Sequence, residues 1–325
     1  MKVGIDVSPL RQTRAGTARY LEGLLPRLER LVAVERFAFG GAGRGATVVR
    51  DACWYPVALP RLAHTVDVLH CPSFRGPLHS RVPLVVTVHD LAVLRHPGAF
   101  NRWTRTYSRL FVPRVVRAAQ RVIAVSEFTK RELMEALHIP EERIRVVRNA
   151  VAAPFVADGP RAEGEYVLAV GTLEPRKNLP RLAEAARSAG VELRIVGARG
   201  WGEVEVGGDG IRFLGFVPDE ELARLYRGAL CVAYASLYEG FGIPVLEALA
   251  CGASVVTSKE SAMAEIADGA AVLVDPRDPE AIAAGIREAI DRRDELAPLG
   301  PERARGFTWE ASAEATAAVY RELAP

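Results

Sequence analysis

The chain of 325 residues predicts an α/β protein built of two Rossmann-like doubly wound domains facing a cleft. Three observations carry that expectation. Short β-branched runs alternate with amphipathic helical periods, the rhythm of parallel strands buried on both faces by crossover helices. The alternation lapses once, at NAVAAPFVADGPRAE (149–163), and then restarts. The length agrees, because about 100–200 residues fill one domain.

Taken in order, the first half offers strands at 3–7, 68–70, 84–88, 122–125 and 144–147. Residues 17–31 read as a helix because Tyr20, Leu24, Leu28 and Leu31 fall on one face. Residues 102–119 and 127–137 are the next helices, the latter behind Ser126, a natural N-cap. The proline- and glycine-bearing stretch after Asn149 is a linker. It sets an N-terminal domain at 1–155 and a C-terminal domain at 156–305. Strands follow at 166–170, 193–196, 211–214, 230–235, 254–257 and 271–274, with helices at 179–189, 219–227 and 244–250. Three helical segments close the chain, and the last, 306–325 with Trp309 near its start, is expected to pack back on the N-terminal domain.

Composition excludes several classes. With 49% apolar residues the chain has too much core material to be disordered, and its 28 Gly and 21 Pro show no collagen-like period. The longest stretches without Asp, Glu, Lys or Arg are 228–238 and 248–258, well short of the about 20 apolar residues of a membrane span. MKVGIDVSPL enters a strand directly, without a signal-peptide pattern, so a cytoplasmic location is expected. Cys53, Cys71, Cys231 and Cys251 stand apart from one another and from any His at metal-ligand spacing, and read as reduced thiols.

The net charge of +2 conceals a division: residues 1–155 carry +12 and residues 156–325 carry −10. A basic half suits an anionic substrate, an acidic lipid surface or nucleic acid. Scattered arginine from a GC-rich genome gives the same number, and only four basic residues are lysines. The segment RWTRTYSRLFVPRVVR (102–117) carries the same ambiguity. It is either a peripheral contact for an anionic inner-membrane face or acidic acceptor, or an amphipathic helix packing its apolar stripe on the sheet.

In doubly wound sheets ligands sit beyond the carboxyl ends of the strands. Two such loops carry chemistry. GTLEPRKNL (171–179) sets Arg176 and Lys177 before a helix, an arrangement suited to a diphosphate. SLYEGFGIPVLEA (236–248) places Gly240 and Gly242 before a helix with Pro244 in its first turn, so a ligand can approach the backbone closely. Glu239 and Glu247, eight residues apart, then address opposite ends of one ligand. The ordinary alternatives are solvated surface charges at a helix start for Arg176 and Lys177, a loop residue near the helix start for Glu239 and an exposed helix carboxylate for Glu247.

YEGFGIPVLEALACG, with its E-x7-E spacing, resembles the signature of glycosyltransferase family four, retaining enzymes of the GT-B fold. GTLEPRKNL is similar to that family's phosphate loop. AGTARYLEGLL, VTVHD and RVIAVSEFTKREL resemble its first loop and helix, its His-bearing strand end and a further strand and helix. The resemblance implies that Arg176 and Lys177 hold a donor diphosphate and that Glu247 binds the ribose hydroxyls. Glu239 would contact the transferred sugar, with backbone N–H groups around Phe241 and Gly242 supporting it and the distal phosphate. Gly16 would lie beside the phosphates, His89 would reach the sugar, and Val217 would offer its backbone to the nucleobase. Asp90 would orient His89. Ser126 and Asn149 match family positions near the cleft, although capping and linker hydrogen bonds explain them equally well, and His70 is left at the cleft rim or in the core.

The implied activity is retaining hexose transfer from a nucleotide diphosphate sugar, GDP-mannose-like, to an acceptor hydroxyl on a glycan, a lipid-linked sugar or a small molecule. Fixed cations stabilise the charge that builds on the leaving diphosphate. The sequence has no Asp-x-Asp, which fits a site needing neither metal nor further cofactor. No nucleic-acid partner is expected. The competing readings are a nucleotide-sugar epimerase on the same fold and a non-catalytic nucleotide-binding protein. A dinucleotide oxidoreductase is disfavoured because neither opening strand precedes G-x-G-x-x-G.

Overall fold

A computed structural model of the chain describes residues 1–12, 16–40, 43–100, 102–198, 200 and 206–324. Its contacts fall into two compact units. One comprises Met1–Arg95, Asn101–Ala150 and Thr308–Pro325; the other comprises His96–Phe100 and Val151–Phe307. The division thus falls at Ala150, five residues before the expected boundary.

The first unit holds strands β1 (Lys2–Asp6), β2 (Ala33–Phe37), β3 (Val68–Cys71), β4 (Leu84–Val88), β5 (Arg121–Ala124) and β6 (Ile144–Val146) in the order β2-β1-β3-β4-β5-β6. Every pairing is parallel. All five residues of β4, LVVTV, are buried, as the middle of a sheet covered on both faces requires. Strand β2 was not expected. Its sequence AVERF is mixed because it is an edge strand, with only Phe37 buried.

Helix α1 (Gly16–Leu28) stops three residues short of the expected end. The chain has to reverse there to enter β2 at Ala33, and the Leu31 amide closes the turn on the Leu28 carbonyl (2.9 Å), leaving the Leu31 side chain exposed. Between β2 and β3 lies a second surprise, a helical run whose middle, Arg50–Ala58, is π-helical. In α2 (Arg102–Ala118) the apolar stripe of Tyr107, Val112, Val115 and Val116 is buried, whereas Trp103 and Leu110 are exposed. Helix α3 (Glu127–Leu137) starts where Ser126 Oγ accepts the Thr129 amide (3.0 Å).

The second unit holds β7 (Tyr166–Val170), β8 (Glu192–Val196), β9 (Ile211–Gly215), β10 (Cys231–Tyr234), β11 (Val255–Ser258) and β12 (Val272–Val274), again all parallel, in the order β12-β11-β10-β7-β8-β9. Its main helices are α4 (Leu179–Ser188), α5 (Asp219–Gly228), α6 (Ile243–Ala250) and α7 (Pro279–Asp291). The stretch after Ala150 is fastened to α5 by Arg227, whose guanidinium donates to the carbonyls of Pro160 (2.8 Å) and Val156 (3.0 Å).

The terminal helix α8 (Trp309–Arg321) belongs to the first unit. Trp309, Ala313, Ala317 and Tyr320 share a core with Tyr20, Leu24 and the central strands. Gly23 is required there, since a Cβ would collide with the Trp309 ring. Among the described residues no helix is long and apolar enough to cross a membrane.

Each sheet reverses its strand order once, between β1 and β3 in the first unit and between β7 and β10 in the second. Loops leaving neighbouring strands at such a point part in opposite directions and open a crevice, which is where ligands bind in sheets of this kind.

Candidate active site

The reversal in the second unit is framed by the loops after β7 and β10, the two stretches that the sequence singles out. Gly171 leaves β7 with its amide on the Val196 carbonyl (2.8 Å), and a Cβ on the adjacent Gly197 would strike the Gly171 carbonyl oxygen. Only glycine at 197 lets the loop lie this close to the end of β8. After a turn over Pro175–Lys177, Asn178 adopts left-handed backbone (φ 60°) at the start of α4. Its Nδ2 donates to the carbonyls of Ala235 (3.0 Å) and Pro276 (2.6 Å), which ties the β7 loop to the end of β10.

That tie brings four charges together. Lys177 Nζ lies 2.7 Å from Glu239 Oε1 and 2.5 Å from the Tyr234 hydroxyl. Arg176 reaches the other oxygen of Glu239 through Nη1 (2.7 Å) and donates from Nε to Glu174 (3.0 Å). The hydroxyls of Tyr234 (3.0 Å) and Ser236 (2.9 Å) also donate to Glu239 Oε1. Burial by itself would raise the pKa of Glu239, but the charges of Lys177 and Arg176 and their hydrogen bonds outweigh it and bring it down to about 2. Desolvation lowers the pKa of Lys177, with the Glu239 charge opposing. The geometry favours the ion pair, because the carboxylate is fully hydrogen-bonded, and both groups are charged at neutral pH.

Arg176 and Lys177, expected to grip a diphosphate, therefore already hold Glu239. Two carboxylates balance two cations, so the cluster is oriented without an excess of charge. Of the three N–H donors of Lys177, two are engaged among the described residues. Behind Glu239 the chain passes Gly242 in left-handed backbone (φ 106°), where a Cβ would sit 2.7 Å from Met263. Pro244 occupies the first turn of α6 and has no N–H, and the Val245 and Leu246 amides bond the Gly242 carbonyl (3.0 and 3.2 Å), so the amide this helix end offers a ligand is that of Ile243. Phe241 turns its ring inward, edge-on to Phe307 (6.1 Å), and only its backbone is available to a ligand. Glu247 is buried on α6 and accepts from the Tyr226 hydroxyl of α5 (3.1 Å). Val217 lies half-buried two residues beyond β9. That strand is two removed from β7, about 10 Å across the sheet.

In the first unit His89 follows β4 and is half-buried, with Nε2 2.9 Å from the Pro72 carbonyl. A carbonyl can only accept, so Nε2 carries the proton and Nδ1 is the acceptor. Burial lowers the pKa of His89, against the Pro72 bond and the Asp90 charge. Asp90 Oδ1 accepts the Ala92 amide (2.8 Å) at the start of the short helix Ala92–Arg95, and its charge acts on His89. Gly16 opens α1, and among the described residues nothing lies within 4 Å of where a Cβ would stand. Ser126 is engaged as the cap of α3. Asn149 is buried, and its Oδ1 has no partner among the described residues. His70 lies in the core, 2.6 Å from the Tyr320 hydroxyl and 2.8 Å from Thr87 Oγ1, and burial pushes its pKa down to about 3.

Sequence reasoning passed over five polar residues that shape the second crevice: Glu174, Asn178, Tyr226, Tyr234 and Ser236. Tyr234 ends an apolar strand run and reads as core, and Tyr226 sits on an ordinary amphipathic helix. Nothing in their spacing points at a carboxylate.

Two doubly wound units in one chain, one of them closing its crevice with paired cations and glutamates, define the class: a GT-B glycosyltransferase. The chain belongs to glycosyltransferase family 4, with residues 14–153 matching the family model described as Glycosyltransferase Family 4 and residues 155–304 that described as Glycosyl transferases group 1. It is 32% identical over 287 residues to O-antigen chain mannosyltransferase B of Escherichia coli, a match covering 79% of this chain and 74% of that protein. It is 30% identical over 279 residues to D-inositol 3-phosphate glycosyltransferase of Thermobispora bispora, covering 74% of this chain and 65% of that one. Sucrose-phosphate synthase from Thermosynechococcus elongatus shares the fold (TM-score 0.75, 19% identity, 99% of this chain and 98% of that). So does Anabaena HepE in complex with UDP-glucose (TM-score 0.73, 20% identity, 99% of this chain and 100% of that).

Proposed function

We propose that this enzyme transfers a hexose from a nucleotide diphosphate sugar to an acceptor hydroxyl, with retention of anomeric configuration and without a metal ion, and that the donor is GDP-mannose-like. The observation that carries the reading is the buried contact of Arg176 and Lys177 with Glu239 beside the N-terminus of α6. As the bond from sugar to diphosphate breaks, negative charge grows on the leaving phosphate and positive charge on the anomeric carbon. The two cations and the Ile243 amide would stand where the first develops, and the ionised Glu239 beside them would face the sugar. Glu247 would hold the ribose, and the backbone at Val217 the base. His89 would contact the sugar with Nδ1 as acceptor. The similarity to a mannosyltransferase supports the sugar, and the UDP-glucose of HepE supports a nucleotide donor in this fold.

The test is thermal stabilisation by GDP, UDP, dTDP and ADP, with and without EDTA. A ligand that binds the folded state alone raises the melting temperature as its concentration passes Kd. GDP is expected to give the largest shift, unchanged by EDTA. No shift with any nucleotide overturns the donor site, and a shift that EDTA abolishes overturns the metal-free reading.

A further inference from the structure

The first unit carries an aromatic surface that the donor chemistry does not use. Trp103, in the first turn of α2, is 45% exposed. Such a side chain in water ordinarily turns its indole N–H to solvent, but here Nε1 donates inward to Asp51 Oδ2 (3.2 Å). Asp51 is buried in the π-helical stretch and is itself gripped through Oδ1 by Arg50 and by Arg75 (each 3.3 Å). Tyr107 lies against the indole at 26° and 6.4 Å between centroids, and Arg75 stands 5.5 Å over the Tyr107 ring. The indole is thus fixed at its polar edge and backed by a second ring.

Topology places this assembly at the ligand end of the sheet. Arg75 lies four residues after β3, on the loop whose Pro72 carbonyl holds His89, and this loop borders the β1/β3 reversal. π-Helical turns also concentrate at functional sites.

We infer that Trp103, held flat by Asp51 and Tyr107, is the platform on which a saccharide acceptor lies, so that the acceptor of this glycosyltransferase is a glycan. The inference rests on the transfer activity proposed above and names the second substrate. A pyranose has one face of C–H groups and a rim of hydroxyls. A fixed aromatic face takes the first, and the part-exposed guanidinium of Arg75, which the buried Asp51 holds in place, takes the second. The alternative for an exposed Trp on an arginine-rich helix is insertion into an anionic bilayer. An interfacial indole keeps its polar edge toward water and headgroups, whereas this one directs its N–H into the protein.

The experiment is an array of immobilised mannose-, glucose- and galactose-containing oligosaccharides, probed with wild type, Trp103→Ala and Trp103→Phe, alongside sedimentation with phosphatidylglycerol vesicles. Each variant is first checked for the wild-type nucleotide-induced thermal shift, which reports folding and the donor site separately. Wild type is expected to retain a subset of the glycans, Trp103→Ala to lose them by about tenfold or more, and Trp103→Phe to fall between. Glycan binding by Trp103→Ala at the wild-type level, or no glycan bound by wild type, overturns the inference. Vesicle binding that depends on Trp103 while glycan binding does not replaces the sugar with a membrane. If no nucleotide shifts wild type, the donor reading fails instead.

Discussion

The two crevices share an architecture and differ in how they treat charge. In the second unit, Arg176, Lys177, Glu174 and Glu239 are paired within one buried cluster and fixed by Asn178, Tyr234 and Ser236. In the first, the polar groups are spread over four elements: His89 on the Pro72 carbonyl, Asp90 on an amide, and Arg50, Arg75 and Trp103 around Asp51. The unit of positive net charge is thus not the one with the concentrated cation site. Bulk charge reports solvated surface, whereas a binding site for a diphosphate depends on a few cations held in place before the ligand arrives.

The contrast breaks most sharply at Lys177. Lys177→Met removes the ammonium from Glu239 and Tyr234, and transfer measured by nucleotide release is expected to fall about 10²–10³-fold. A fall of less than tenfold removes Lys177 from the chemistry. Glu239 comes next through its pH dependence. Its folded pKa of about 2 lies below the ordinary glutamate value, so its contribution to stability is full above that ordinary value and is lost as pH falls toward 2. Glu239→Gln is therefore expected to destabilise the protein by a few kcal/mol at pH 7 and by less at pH 3, measured by urea unfolding. Equal losses at both pH values contradict the ionised pairing.

A smaller effect is expected at Glu247. Tyr226→Phe deletes one hydrogen bond to its carboxylate and should raise the KM for the nucleotide sugar about fivefold at unchanged kcat. An unchanged KM separates Glu247 from the donor. The smallest effect belongs to the first unit, where Ser126→Ala removes the cap of α3 and should lower unfolding free energy by about 1 kcal/mol. A loss of transfer rate beyond that of stability would return Ser126 to the site.

The legible part of the second crevice was local. GTLEPRKNL and YEGFGIPVLEALACG each lie within one loop-and-helix segment, where glycine, proline and charge at fixed spacing carry their own mechanism. The unexpected β2 and the π-helical stretch lack such signals, since an edge strand needs little apolar sequence and a π-helix is stabilised by its surroundings.

By itself the sequence determined the alternation of strands and helices, the break after Asn149 and the loops that bear Arg176, Lys177, Glu239 and Glu247. These follow from periodicity and backbone chemistry over a few residues. Only the tertiary structure decided which side chains meet: Lys177 with Glu239 across 62 positions, Tyr226 with Glu247, Trp103 with Asp51, and His70 with Tyr320 from the far end of the chain. Parallel sheets bring such partners together because each crossover returns the chain to the same edge. The distance between partners along the sequence then records only the length of the intervening helix and strand, and leaves no local trace of the contact.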